Sequence, residues 1–195
     1  HTLMSDDALS RAQAHFDAGD YEEAIALLND VLQDVKKDPD LYYLRGLAYI
    51  EQGELNAAFS DLNRSVQLAK RTGKYYVGRG RAFAMKGDEK NAISDLKRAI
   101  KLDPDNAEAY FERGEIYSSR QNIRRAEADF KEAIARNPQF GEAYYSLGIV
   151  YADKNDYDSA LSEYNHALEH MGDDTDVYVS RGAAHFFLDD YDAAR

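Results

Sequence analysis

Small, apolar and aromatic residues recur along this chain at spacings of three and four, and the whole arrangement returns every 34 residues. Gly46, Gly80, Gly114, Gly148 and Gly182 stand one period apart, with Ala12 a step earlier. Ala24, Ala58, Ala92, Ala126, Ala160 and Ala194 form a second series. Tyr42, Tyr76, Tyr110, Tyr144 and Tyr178 each precede a glycine by four residues, and Tyr49, Phe83, Tyr117, Tyr151 and His185 each follow one by three. Leu28, Leu62, Leu96, Phe130 and Tyr164 follow the alanines by four. A period kept without insertion or deletion is the mark of a structural repeat. Spacings of three and four place residues on one helical face, so each cycle predicts two amphipathic helices.

The breaks in the pattern place the helix ends. The first helix of each cycle should close near Gly19, Gly53 and Gly87, where a left-handed residue carries no Cβ clash. Gln121, Asn155 and Asp189 hold that place later in the chain, and Asn and Asp tolerate it better than Gln. Pro104 and Pro138 should stop second helices, because proline lacks the amide that a continuing helix needs. The periodic glycine is otherwise out of place, since Gly in a helix interior costs about 1 kcal/mol relative to Ala. A small residue at Gly114 facing Ala126 explains it: two backbones approach closely while Tyr110, Tyr117 and Phe130 fill the surrounding space.

This pattern resembles the tetratricopeptide repeat over nearly the whole chain, with five complete units (5–38, 39–72, 73–106, 107–140, 141–174) and a partial sixth (175–195) in one array. The first unit departs at Ala8, Ala12 and His15, and Pro39 comes three places late. The resemblance implies an all-α fold, a right-handed superhelical solenoid of antiparallel helix pairs whose concave surface comes from the first helices. On that surface it places Leu9, Tyr43, Val77, Phe111 and Tyr145, then Leu47, Arg81, Glu115 and Ile149, with Lys74 from an adjoining position. It implies a protein–protein interaction module or adaptor that holds a peptide or helix of a partner, with Tyr43, Phe111 and Tyr145 stacking on it and Lys74 and Arg81 reading an acidic side chain. The family's clamp for Hsp70/Hsp90 tails is not expected, because Leu44, Gly78, Glu112 and Ser146 stand where it would need Asn or Arg.

Composition narrows the partner classes. The 195 residues include no Cys, which removes disulfides, thiolate metal sites and a thiol nucleophile. The formal net charge of −12 opposes the phosphate backbone of nucleic acid and acidic membrane surfaces. No apolar run approaches the ~18 residues that would span a bilayer, so no membrane insertion is expected. With no leader visible, the cytoplasm is the expected location. His1 to Leu3 ahead of Met4 read as a cloning remnant. Charge is uneven, from −6 over 5–38 to +3 over 73–106 and −7 over 141–174.

An arginine precedes the glycine at Arg45, Arg79, Arg113 and Arg181, and Asp61, Asp95 and Asp129 follow the first three by sixteen residues. This coincidence predicts Arg–Asp pairs tying adjacent helices. His166 and His170 lie four apart but lack a third ligand, so no metal is expected. Gly78-Arg79-Gly80 falls inside a repeat helix and cannot be a phosphate loop. His15 and His185 stand in place of packing aromatics and should be half-buried or core. No catalytic residue and no cofactor are expected, and the chain does not read as an enzyme. Two other readings stay open. The protein could be a scaffold that forms a homo-oligomer through its ends, or a targeting domain whose catalytic part lies beyond Arg195.

Overall fold

In the computed structural model, residues 2–193 are described, with side chains from 6 to 189; His1, Ala194 and Arg195 lie outside. The fold is all-α, with eleven helices and no strand among the described residues. The chain divides between Pro104 and Asp105 into two compact units. The first holds α1 (Thr2–Asp17), α2 (Tyr21–Asp34), α3 (Pro39–Glu51), α4 (Leu55–Leu68), α5 (Gly73–Met85) and α6 (Glu89–Leu102). The second holds α7 (Ala107–Ser119), α8 (Ile123–Arg136), α9 (Gly141–Asp153), α10 (Tyr157–Met171) and α11 (Thr175–Ala193). Within each unit every helix packs on the next, and first helices of successive repeats also touch: α1 on α3, α3 on α5, α7 on α9, α9 on α11.

The helix ends follow local chemistry. Gly19, Gly53 and Gly87 take positive φ, and Gln121 and Asn155 adopt the same conformation at φ 59° despite their side chains. Asp189 does not: α11 runs through it to Ala193. Among the described residues nothing lies within 4 Å of a Cβ added at Gly182, so no second helix is packed there, and a left-handed aspartate is disfavoured by its Cβ. Asp103 and Asn137, just before the prolines, cap α6 and α8 with extended backbone, the conformation that a following proline enforces. The displaced Pro39 is the first residue of α3, where its missing amide costs nothing, and Asp38 caps that helix by accepting from the Asp40 amide at 2.9 Å.

The core is the two residue series that define the repeat. Ala24, Ala58, Ala92, Ala126 and Ala160 are fully buried, as are Leu28, Leu62, Leu96, Phe130 and Tyr164. A Cβ added to Gly114 would lie 2.7 Å from Phe130 Cε1, and one on Gly148 would lie 2.5 Å from Tyr164 Cε1. Burial pushes the Tyr164 phenol up to about 12. At Gly182 an added Cβ meets nothing within 4 Å. His185, expected to be half-buried, is correspondingly exposed on α11, whereas His15 is half-buried.

Arginine–aspartate pairs lock α3 to α4, α5 to α6 and α7 to α8. Arg45 donates to both oxygens of Asp61 at 2.6 and 2.8 Å, Arg79 to Asp95 at 2.7 and 2.9 Å, and Arg113 to Asp129 at 2.8 and 2.7 Å. The aspartates are buried, and an unpaired buried charge would be costly, so the pairs fix the helix register. The Asp129 hydrogen bonds hold the Arg113 guanidinium above its ordinary pKa, against the opposing effect of burial. Arg45 and Arg79 also donate to Asn29 and Asn63 on the preceding repeat's second helix, at 2.7 and 2.8 Å. Each of these two arginines therefore ties one repeat internally and to its neighbour.

Gly114→Leu is expected to destabilise the fold by about 1–3 kcal/mol through overpacking against Phe130. Gly182→Ala, with open space around it, should be neutral or stabilising by up to about 1 kcal/mol through helix propensity. Chemical denaturation of the two variants checks this contrast; equal effects would refute close approach as the reason for the glycines.

Candidate functional site

The first helices α7 and α9 enclose a cleft of about 320 Å³ lined by Phe111, Glu115, Ser118, Glu142, Tyr145, Ser146 and Ile149. Each helix contributes one face. Phe111, Glu115 and Ser118 follow one another at four and three residues, and Glu142, Tyr145 and Ile149 at three and four. Asn106 starts α7 by accepting from the Ala109 amide at 3.0 Å, which sets the phase of that face.

The aromatic walls are held from behind. The Phe111 ring lies 5.9 Å from Phe130 and 4.8 Å from Phe140. Tyr145 packs on Tyr164 at 5.9 Å, and its hydroxyl lies 3.2 Å from the Ser180 hydroxyl of α11. Across the cleft Ser146 Oγ donates to Glu115 Oε1 at 2.8 Å, joining α9 to α7. Glu115 remains open to water on one side, yet the crowding walls raise its pKa above the ordinary carboxylate value, with the Ser146 hydrogen bond opposing that rise. Glu115 and Glu142 form no ion pair among the described residues, and no lysine, arginine or histidine lines the cleft.

Four residues expected on the concave surface, Phe111, Glu115, Tyr145 and Ile149, thus meet in one cleft. Ser118, Glu142 and Ser146 join them. Glu142 stands at the same repeat position as Lys74, which the resemblance places on this surface, and Ser146 could have been found from sequence because it shares the face of Tyr145 and Ile149.

The first unit treats its members of the set differently. Val77, expected to face a partner, is 1% exposed and belongs to the core. Leu9 packs on the cluster of Ala12, Leu28 and Leu41, and Leu47 on that of Ile50, Ala58 and Leu62. Tyr43 lies edge-on to Tyr75 at 5.4 Å and covers Gly78, where an added Cβ would sit 2.7 Å from its ring. The two cations expected to read an acidic side chain are already paired within the unit: Lys74 Nζ with Asp40 at 2.5 Å, Arg81 with Glu51 at 2.8 Å. Tyr75 also donates to Asp40 at 2.8 Å, and burial together with that bond raises the pKa of its phenol.

The histidines of α10 stack on Tyr144, at 5.2 Å for His166 and 5.6 Å for His170, and His166 lies 3.3 Å from Glu169. Among the described residues no group of three or more His, Asp or Glu side chains is arranged to hold a metal ion. No described helix is long and apolar enough to cross a membrane.

Comparison with known proteins agrees with the repeat. A TPR repeat family model matches residues 12–53 and 80–121, and tetratricopeptide repeat models match 39–72 and 117–174. A thermophilic TPR protein of Thermus thermophilus is similar in structure, with a TM-score of 0.82 and 26% identity over 93% of this chain and 98% of that one. MamA is similar at 29% identity and a TM-score of 0.64, over 82% and 94% of the two chains. YrrB, a TPR protein with an unusual peptide-binding site, shares the fold at 20% identity and a TM-score of 0.60, over 90% of each chain. No curated protein matches the chain in sequence. The matched models together span 12–72 and 80–174, and the packing of helix pairs within each unit agrees with them: the chain belongs to the tetratricopeptide repeat family.

Proposed function

We propose that this chain is an adaptor that binds an extended peptide segment of a partner protein along the first helices of its second unit. The observation that carries this reading is the α7–α9 cleft, where two aromatic rings and an isoleucine alternate with two carboxylates and two hydroxyls. Apolar walls with a few directed polar groups suit a side chain inserted from a partner's backbone. The peptide-binding site of YrrB, a protein of the same fold, supports the class of ligand. The net charge of −12 favours protein over nucleic acid. The role is non-catalytic, and the tails of Hsp70/Hsp90 are not the ligands, because the cleft is acidic where a carboxylate clamp would be basic.

A second reading, self-association, is favoured by α11. Val179 and Phe186 are 67% and 64% exposed, and the open face at Gly182 has the smallness that other repeats use to seat a helix.

The cleft walls crowd the Glu115 carboxylate, which stays open to water on one side, and this partial desolvation opposes its charged form at a small cost to stability. Its folded pKa is raised, so the native state holds the proton more tightly than the unfolded chain does. The cost is therefore absent where both states are protonated, and it sets in as pH rises from the unfolded value through the folded one.

A lysate pull-down with wild type and a Tyr145→Ala/Ile149→Ala variant of matched melting behaviour tests the adaptor reading. Proteins retained by the first and lost by the second are expected; identical sets would place binding elsewhere. Self-association predicts a weight-average mass that rises with concentration in sedimentation and stays monomeric in Val179→Ser/Phe186→Ser. A wild-type monomer throughout would remove that reading. Glu115→Gln should melt slightly higher than wild type at neutral pH, the difference closing below about pH 4, where both states of the wild type are protonated. A lower melting point at neutral pH would show that the carboxylate is stabilising as it stands.

A further inference from the structure

We propose that the α7–α9 cleft is a receptor for a cationic side chain, an arginine or lysine of a basic peptide segment, whose alkyl stem lies on Phe111, Tyr145 and Ile149 and whose charge is met by Glu115 and Glu142. This inference rests on the adaptor reading and specifies its ligand.

The two units carry equivalent surfaces two repeats apart, and their charges are reversed. Tyr43 and Leu47 of α3 correspond to Phe111 and Glu115 of α7; Lys74, Val77, Gly78 and Arg81 of α5 correspond to Glu142, Tyr145, Ser146 and Ile149 of α9. In the first unit the cation is built in. Lys74 Nζ sits 2.5 Å from Asp40 and within 5.6 Å and 5.2 Å of the Tyr43 and Tyr75 ring centres, a site that combines an ion pair with two aromatic faces. In the second unit the lysine is replaced by Glu142, the valine that filled the floor becomes the half-buried Tyr145, and the glycine becomes a serine that aims a hydroxyl at Glu115. The aromatic wall persists, the cation is gone, and a concavity of about 320 Å³ stands in the middle.

Several carboxylates elsewhere in the fold are held by internal cations. Asp61 and Asp129 have Arg45 and Arg113, Glu51 has Arg81, and Glu127 is bound by both Lys131 at 2.6 Å and Lys154 at 2.9 Å. Glu142 lies in the first turn of α9, where the helix dipole offsets part of its charge. Glu115 is in the interior of α7 and has no such compensation; the Ser146 hydroxyl is its one hydrogen-bond donor among the described residues. A side-chain cation entering the cleft would gain two carboxylates and an aromatic wall. An anionic side chain would meet the same carboxylates with no cation to receive it. The field of the surrounding repeat, −7 over 141–174, attracts the same sign of ligand at longer range.

The experiment selects short peptides from a random display library on the whole chain. Affinities of the recovered peptides are then measured by fluorescence anisotropy for wild type, Glu115→Gln/Glu142→Gln and Ile149→Trp, each checked for an unchanged helical spectrum. Ile149→Trp obstructs the cleft without altering charge, and the glutamines keep its shape while removing charge. The expected result is that recovered peptides carry arginine or lysine beside apolar residues and bind at least about tenfold more weakly to both variants, as for close charge pairs across an interface. Peptides that are lost with Ile149→Trp but lack basic residues, or that tolerate Glu115→Gln/Glu142→Gln, overturn the cationic ligand while leaving the adaptor reading intact. Recovering no peptide, or only peptides indifferent to Ile149→Trp, overturns the adaptor reading and this inference with it.

Discussion

Close approach of two helix backbones governs this structure. Where α7 crosses α8, and α9 crosses α10, the first helix presents glycine and the second presents alanine and a large ring, so that no Cβ separates the backbone from Phe130 or Tyr164. The glycine loses helix propensity, and the packing around it outweighs that loss because protein interiors gain dispersion contact wherever atoms meet without voids. The same contact recurs along the repeats, and it is why the period tolerates no insertion. One extra residue would rotate glycine off the crossing and put a side chain in its place.

The buried arginine–aspartate pairs depend on that crossing. With backbones this close, the residue beside the glycine reaches the residue beside the ring, and the guanidinium can grip both carboxylate oxygens. The pairs add specificity more than stability, since desolvation offsets much of their attraction. Their asparagine contacts carry the register from one repeat to the next within the first unit. Repeats without the aspartate still stack: Leu147 and Glu163 replace the pair in the fifth repeat, where burial raises the Glu163 pKa.

The crossing faces of both helices are committed to packing, and the remaining face of the first helices is a surface on which chemistry varies between the units. In the first unit that face is closed by its own side chains, with Lys74 and Arg81 held by Asp40 and Glu51. In the second it opens into a cleft whose carboxylates have no internal counterion among the described residues. Crowding by the cleft walls raises the Glu115 pKa, so its charge is a small cost to the fold that the Ser146 hydrogen bond partly offsets.

Periodicity by itself determined the helix pairs, the glycine–alanine crossing, the left-handed closures at Gln121 and Asn155, and the sixteen-residue arginine–aspartate pairing. Each of these is a relation inside one repeat, and spacing along a helix converts directly into position on a face. It also grouped Phe111, Glu115, Tyr145 and Ile149 on one surface. Only the tertiary structure decided which members of that surface are available. Whether Lys74 is free depends on Asp40, whether Val77 is exposed depends on how α5 lies against α3, and whether Asp189 ends a helix depends on a neighbour packing at Gly182. Those outcomes belong to contacts between helices, and the charge and volume of a partner across a crossing are not encoded in the spacing of either helix alone.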